Sequence, residues 1–204
     1  TVPELLKLMP DISHLAVAYE TGLITSDQFF QQLTELARIR ISRQEFIDSY
    51  CAIFTRIEST ATLIRELKPR YRLGLLSNTN EWHFENCIRT VDVFPLFDAV
   101  TLSYKVRAMK PTAAIYADML HKLGLEPGAC LYIDDISEYV QAAKALGMHA
   151  VVYTGHDALL RDLRANPAIA AVSLADALPG TGSPGTFVAI RGRDNDDDSR
   201  RWPK

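Results

Sequence analysis

Cysteine is scarce in this 204-residue chain: Cys51, Cys87 and Cys130 stand in apolar settings with no paired spacing. That pattern excludes a disulfide framework and a cysteine-based zinc site, and it points to a reducing compartment, the cytoplasm. No apolar run approaches the ~20 residues that cross a bilayer, and no basic start with an apolar run behind it marks a secretory leader, so no membrane partner is expected. Basic residues are not in excess either. The 22 Lys and Arg against 25 Asp and Glu leave a net charge of −3 with no basic stripe, which argues against a nucleic-acid partner. The five histidines (His14, His83, His121, His149, His156) lack metal-ligand spacing, and His83 is expected to be exposed on a helix. There is no internal repeat. What remains is ordinary for a globular protein, 48% hydrophobic and 23% charged, and long enough for one domain with a small insertion.

Residues 3 to about 58 read as helix throughout. Thr25-x-x-Gln28 and Ser42-x-x-Glu45 have capping-box spacing, each just ahead of an apolar-periodic segment. Phe29, Phe30, Leu33 and Leu36 recur at helical spacing, as do Phe46, Ile47, Tyr50 and Phe54, a pattern that predicts packing. From about residue 60 helices and strands alternate: a helix over 62–68, the strand 71–76, a helix over about 81–90, and the strand 97–102. A helix begun by Pro111 and stopped near Gly124 follows, then the strand 130–133, a helix from about 136 to Gly147, the strand 149–153 and a helix over about 156–165. Short apolar strands without in-and-out alternation, separated by helices, predict an α/β fold whose parallel sheet is covered on both faces. Beyond Asn166-Pro167 the pattern decays, apart from a short apolar run, Thr186–Ile190, and a charged tail expected to be disordered. The predicted division is 1–58, 59–165 and a largely irregular 166–204.

Ligands of open parallel sheets bind beyond the carboxyl ends of the strands. Ser77 and the pair Asp134-Asp135 both fall at such ends, and Lys110 precedes a helix that follows another strand. Ser77, helped by the N–H groups of Asn78 and Thr79, is placed to hold a phosphate oxygen, although Ser77-Asn78-Thr79-Asn80 would serve equally as a turn and helix cap. Lys110 offers a point charge to neutralise that phosphate. Adjacent carboxylates on a buried strand repel each other and lose hydration; a hard cation such as Mg2+ relieves both costs, the alternative being that one of them caps the following helix. Each motif alone is weak, and their convergence on one edge is what carries the inference.

Ser77-Asn78, Lys110-Pro111 leading into Ile115-Tyr116, and Asp134-Asp135 followed by Ala142-Ala143 and Gly147 together resemble the second, third and fourth motifs of the haloacid dehalogenase-like superfamily. The likeness is chiefly to its phosphatases with a small helical cap, and it spans roughly residues 10–165. The resemblance implies a Rossmann-like three-layer core with residues 1–58 as the cap. It implies a Mg2+-dependent phosphatase acting on a small phosphorylated metabolite through an aspartyl-phosphate. Ser77, Asn78 and Lys110 would bind phosphate, Lys110 would be catalytic, and Asp135 would hold Mg2+ directly with Asp134 in support. A non-catalytic binding or regulatory module on the same fold is the alternative; a dehalogenase fits less well, because the family's dehalogenases work without metal.

The superfamily's nucleophile, the first aspartate of an Asp-x-Asp at the end of a mid-sheet strand, has no counterpart ahead of the helical segment. Asp11 lies in helical surroundings and cannot stand in. Leaving out about five buried strand residues at ~1.5–3 kcal/mol each removes on the order of 10 kcal/mol, against a total stability of only ~5–15 kcal/mol. The slot must therefore be filled. Either a strand upstream of Thr1 fills it, or Thr186–Ile190 does, with Asp194-x-Asp196 following it as in a circular permutation.

Overall fold

The computed structural model describes residues 2–165 and 186–189. Three helices come first: α1 (Val2–Glu20), α2 (Ser26–Ala37) and α3 (Arg43–Cys51). Both predicted capping boxes form. Gln28 N–H donates to Thr25 Oγ1 at 3.2 Å while the Gln28 side chain accepts from Thr25 N–H at 2.8 Å, and Ser42 and Glu45 make the same exchange. The aromatics that follow each cap interlock: Tyr19 stacks on Phe29 with ring centres 4.5 Å apart, and Phe46 stacks on Tyr50 at 5.6 Å. Trp82, from the sheet portion of the chain, completes this cluster.

Then follow α4 (Glu58–Leu67), β1 (Arg72–Ser77), α5 (Glu81–His83), β2 (Ala99–Leu102), α6 (Ser103–Val106), α7 (Ala113–Leu123), β3 (Cys130–Asp134), α8 (Ser137–Ala145), β4 (His149–Val152), α9 (His156–Ala165) and β5 (Thr186–Ala189). The predicted α/β alternation holds, with two local differences. The expected helix over 81–90 is one short α-turn continued by the π-helix Phe84–Ile88. The helix expected from Pro111 starts at Ala113, behind Thr112.

The sheet is parallel throughout, in the order β2-β1-β5-β3-β4. Its middle strand is β5. Thr186 to Ala189 pair with Arg72 to Leu75 on one side and with Cys130 to Ile133 on the other. Of the two fillings the sequence allowed, the apolar run near the C-terminal end is the one seated between β1 and β3. That corrects the expectation that 166–204 is largely irregular at least for Thr186–Ala189; the charged tail, with Asp194 and Asp196, lies outside the described residues.

Two apolar layers cover the sheet. On one face α7 and α8 bring Ile115, Tyr116, Met119, Val140 and Ala143 against Leu76, Cys130 and Tyr132. On the other, α4 and α9 bring Leu63, Ile64 and Leu159 against Leu73, Leu131 and Ile133. Both faces being dry, the strands carry apolar residues at nearly every position. Gly74 stands among them for a reason: a Cβ there would stand 2.7 Å from Met119 Sδ, so glycine lets α7 lie close on β1. Among the described residues no helix is long and apolar enough to cross a membrane.

Candidate active site

Because all five strands run the same way, the ends of β1 and β3 open on one edge, and the loop ahead of α7 reaches it. The end of β3 divides the paired aspartates. Side chains alternate along β3, so Asp134 shares the α7/α8 face with Tyr132, while Asp135 stands just beyond the strand.

Asp134 is 1% exposed and fully engaged. Its Oδ2 accepts from Lys110 Nζ at 2.7 Å and from the Tyr132 hydroxyl at 2.7 Å, and its Oδ1 accepts from Ile136 N–H at 2.9 Å. Lys110 is 6% exposed, and its ammonium also lies over the Tyr139 ring, 4.8 Å from the centre. Burial pulls the Lys110 pKa below the ordinary lysine range, with the Asp134 charge opposing that shift. Asp135 is half-buried. Burial, then its hydrogen bond to Asp134 and that neighbour's charge, push its carboxyl up to about 6. The two carboxylates therefore have different jobs: Asp134 balances Lys110, while Asp135 is held where its charge is costly.

Ser77 is buried at the end of β1, and among the described residues its hydroxyl makes only a long 3.5 Å contact to the Asn78 carbonyl. Of the two N–H groups expected to assist it, that of Thr79 is otherwise employed. Thr79 N–H donates to Ser103 Oγ at 2.9 Å, and the Ser103 hydroxyl donates back to the Thr79 carbonyl at 2.9 Å. The Asn78 carboxamide brackets the Lys110 main chain, accepting its N–H at 2.8 Å and donating to its carbonyl at 3.1 Å. The Asn78 side chain thus fixes Lys110 instead of facing a ligand. The helix cap in this stretch is Asn80, whose Oδ1 accepts from His83 N–H at 3.0 Å.

His83, expected to be exposed, is buried. It stacks on Tyr50 at 4.1 Å, with Nε2 3.1 Å from the Tyr50 carbonyl and Nδ1 3.1 Å from Asn80 Nδ2. Helical periodicity places His83 on α5 but carries no sign that α3 covers that face. Other ties join the helical segment to this turn: Asn80 Nδ2 donates to the Tyr50 hydroxyl at 3.0 Å, Trp82 N–H donates to the Tyr19 hydroxyl at 3.2 Å, and Ser26 Oγ bonds the Glu81 carboxylate.

A family model for haloacid dehalogenase-like hydrolases matches residues 16–153, about two thirds of the chain. The chain belongs to the haloacid dehalogenase-like hydrolases. Its similarity to individual members of that family is moderate. It is 26% identical over 137 residues to a D-ribitol-5-phosphate phosphatase of Bacteroides thetaiotaomicron, covering 63% of this chain and 66% of that one. It is 27% identical over 126 residues to hexitol phosphatase B of Escherichia coli, covering 57% of each. The chain thus spans about half to two thirds of the length of the curated relatives it matches. A solved family enzyme from Bacteroides thetaiotaomicron, in complex with magnesium and inorganic phosphate, superposes with a TM-score of 0.61 at 26% identity, over 66% of this chain and 72% of that one. A family hydrolase from Porphyromonas gingivalis gives 0.63 at 28% identity, over 74% of this chain and 80% of that one.

Within this haloacid dehalogenase-like core, the structure brings Ser77, Lys110, Asp134 and Asp135 to one edge. Among the described residues no group of three or more His, Cys, Asp or Glu is arranged to hold a metal ion. Tyr132, Tyr139 and Ser103 were missed from the sequence, whereas the helix cap expected within residues 77–80 is Asn80. Tyr132 alone had a signal, standing two residues before Asp134 on the same strand and so on the same face.

Proposed function

We propose that this chain is the greater part of a Mg2+-dependent phosphatase for small phosphorylated metabolites, with phosphate monoesters of sugar alcohols as the substrate class. The observation that carries this is the buried Lys110–Asp134 pair, set at 2.7 Å on the same sheet edge as Ser77 and the half-buried Asp135. The names of the phosphatases it resembles support the substrate class.

Mg2+ fits Asp135 in particular. A half-buried carboxyl whose pKa is pushed up to about 6 is relieved by a hard cation with oxygen ligands, whereas the oxygens of Asp134 already serve Lys110, Tyr132 and Ile136. Bound there, Mg2+ would neutralise charge on the transferring phosphoryl group. The chain's own groups do the rest. Lys110 places a fixed positive charge in a low-dielectric site, where it acts more strongly than in water. Ser77 donates its hydroxyl to a phosphate oxygen. Asp134 keeps Lys110 charged and in place. Helices α1–α3, tied to residues 80–83, act as a cap over this edge.

In an aspartyl-phosphate mechanism a carboxylate oxygen bonds to phosphorus as the ester oxygen leaves and takes a proton, and water then releases phosphate. The attacking carboxylate comes from outside the described residues. Asp194, five residues beyond the end of β5, is the candidate that this chain itself offers. The deciding assay is Mg2+-dependent hydrolysis of p-nitrophenyl phosphate by the 204-residue chain and its Asp194→Asn and Lys110→Ala variants. Turnover lost in both variants supports the full proposal. Turnover lost only in Lys110→Ala moves the nucleophile elsewhere. Phosphate binding without turnover would instead favour a non-catalytic module.

A further inference from the structure

Among the described residues Lys110 supplies the positive charge of the proposed phosphate site, and its place is set from three directions. Asp134 takes one of its N–H donors at 2.7 Å. Asn78 brackets its main chain at 2.8 and 3.1 Å. The third support is Tyr139, in the first turn of α8. The Tyr139 ring lies 4.8 Å from Lys110 Nζ, and its hydroxyl accepts from Asn78 Nδ2 at 3.4 Å. One side chain thus touches both the ammonium and the residue that grips its backbone. Tyr139 is itself fixed from behind, where its carbonyl accepts from the Tyr116 hydroxyl at 2.9 Å and Tyr116 packs edge-on against Tyr132 at 5.4 Å. Tyr132 returns to Asp134, closing the ring of contacts.

An ammonium desolvated against an aromatic face is attracted by the ring quadrupole. A lysine stem has several rotatable bonds and loses much freedom when held in one position. Asp134 fixes the distance of the charge from β3, but a single carboxylate oxygen leaves the ammonium free to swing about that contact. A ring on a second side removes this freedom and excludes water from the nitrogen.

We propose that Tyr139 is a positioning residue for Lys110: its ring holds the ammonium at the phosphate position, and its hydroxyl secures Asn78. The role in phosphate binding rests on the function proposed above; the placement of Lys110 does not. The ring is the larger contribution, because Asn78 keeps both of its bonds to Lys110 without the hydroxyl.

The test compares Tyr139→Phe, which keeps the ring, with Tyr139→Leu, which removes it, in two measurements. The first is acylation of Lys110 by a water-soluble amine reagent, read by peptide mass spectrometry. Lys110 is expected to be protected in the unsubstituted chain and in Tyr139→Phe, and to become labelled in Tyr139→Leu. The second is calorimetric binding of inorganic phosphate with Mg2+, expected to weaken about tenfold in Tyr139→Leu and to be rescued by Phe. If Tyr139→Leu does not fold, Tyr139→Met supplies similar bulk without a π face. Protection of Lys110 in a folded Leu or Met variant overturns the proposal, and so does labelling in Tyr139→Phe. Labelling as expected with no phosphate binding by the unsubstituted chain overturns the phosphatase reading and leaves the placement standing.

Discussion

Asp134 and Asp135 are chemically identical neighbours, and their surroundings require opposite effects on stability. Replacing Asp134 with alanine leaves the Lys110 ammonium buried without its counter-charge and strips the Tyr132 hydroxyl and the Ile136 N–H of their acceptor. Breaking a buried ion pair from one side costs about 3–5 kcal/mol, much of the ~5–15 kcal/mol that holds a domain together. At a urea slope of ~2 kcal/mol/M, a loss of ~4 kcal/mol lowers the midpoint by about 2 M. Asp135 runs the other way. Its folded pKa of about 6 lies above the unfolded value, so the fold favours the protonated form. Stability is then greatest below the unfolded pKa and declines as pH rises from about 4 to about 6. At pH 7, with Mg2+ chelated, Asp135→Asn should raise stability by about 1 kcal/mol, a figure discounted for partial exposure, and should flatten the decline across that window. The assay is urea denaturation of both variants and of Asp134→Asn with Lys110→Met, which leaves neither charge and should recover most of the loss. Equal midpoint shifts for Asp134→Ala and Asp135→Asn would refute this division of labour.

Three further outcomes follow from the fold. Val188→Pro takes an N–H out of a strand paired on both sides, so it should cost about 3 kcal/mol or more; an unchanged thermal midpoint would show that β5 is not the middle strand. Gly22 has φ +67°, and a Cβ there would stand 2.1 Å from the Tyr104 carbonyl oxygen. Gly22→Ala should therefore destabilise by about 2 kcal/mol or more, and faster proteolysis within residues 2–51 would show that the helical segment had lifted from α6. Asp98 accepts from Lys68 Nζ and from Leu73 N–H, each at 2.7 Å. Burial raises its pKa, but these bonds and the Lys68 charge outweigh it and hold the carboxyl below its usual range. Its contribution is present above the unfolded pKa and is lost as pH falls through the folded one. Asp98→Asn should thus cost about 1 kcal/mol at pH 7 and progressively less below pH 4 in urea titrations.

The residues that meet at the sheet edge were legible because topology alone brings them there. Parallel strands send every carboxyl end to one side, so Ser77 and Asp134-Asp135 had to converge once the strands were identified. Their partners were not legible. Tyr139 and Lys110 are 29 residues apart, Ser103 and Thr79 are 24 apart, and no local periodicity links residues that meet only through the packing of α8 on the sheet or the pairing of β1 with β2. His83 illustrates the opposite failure, since it was expected to be exposed on its helix and the docking of α3 buries it.

The middle strand shows how far a stability argument reaches when pattern gives out. Thr186–Ala189 is short, stands after a stretch containing Pro and Gly, and on periodicity alone does not separate itself from a loop. The requirement that β1 and β3 not face an empty slot is what makes it a candidate, beside a strand upstream of Thr1, because hydrogen bonds on both of those strands would otherwise lack partners in a dry layer. The structure meets that requirement with a strand from the far end of the sequence, running parallel to its neighbours. Direction has a chemical consequence. A parallel β5 sends its carboxyl end toward the edge that holds Ser77 and Lys110, whereas an antiparallel one would complete the sheet equally well and send it away. Ala189 pairs with Leu75 and Ile133, two residues short of Ser77 and one short of Asp134. The acidic stretch beginning at Asp194 therefore follows a strand aimed at the proposed phosphate site, and this is why Asp194→Asn is the variant that separates a permuted nucleophile from a strand that only completes the sheet.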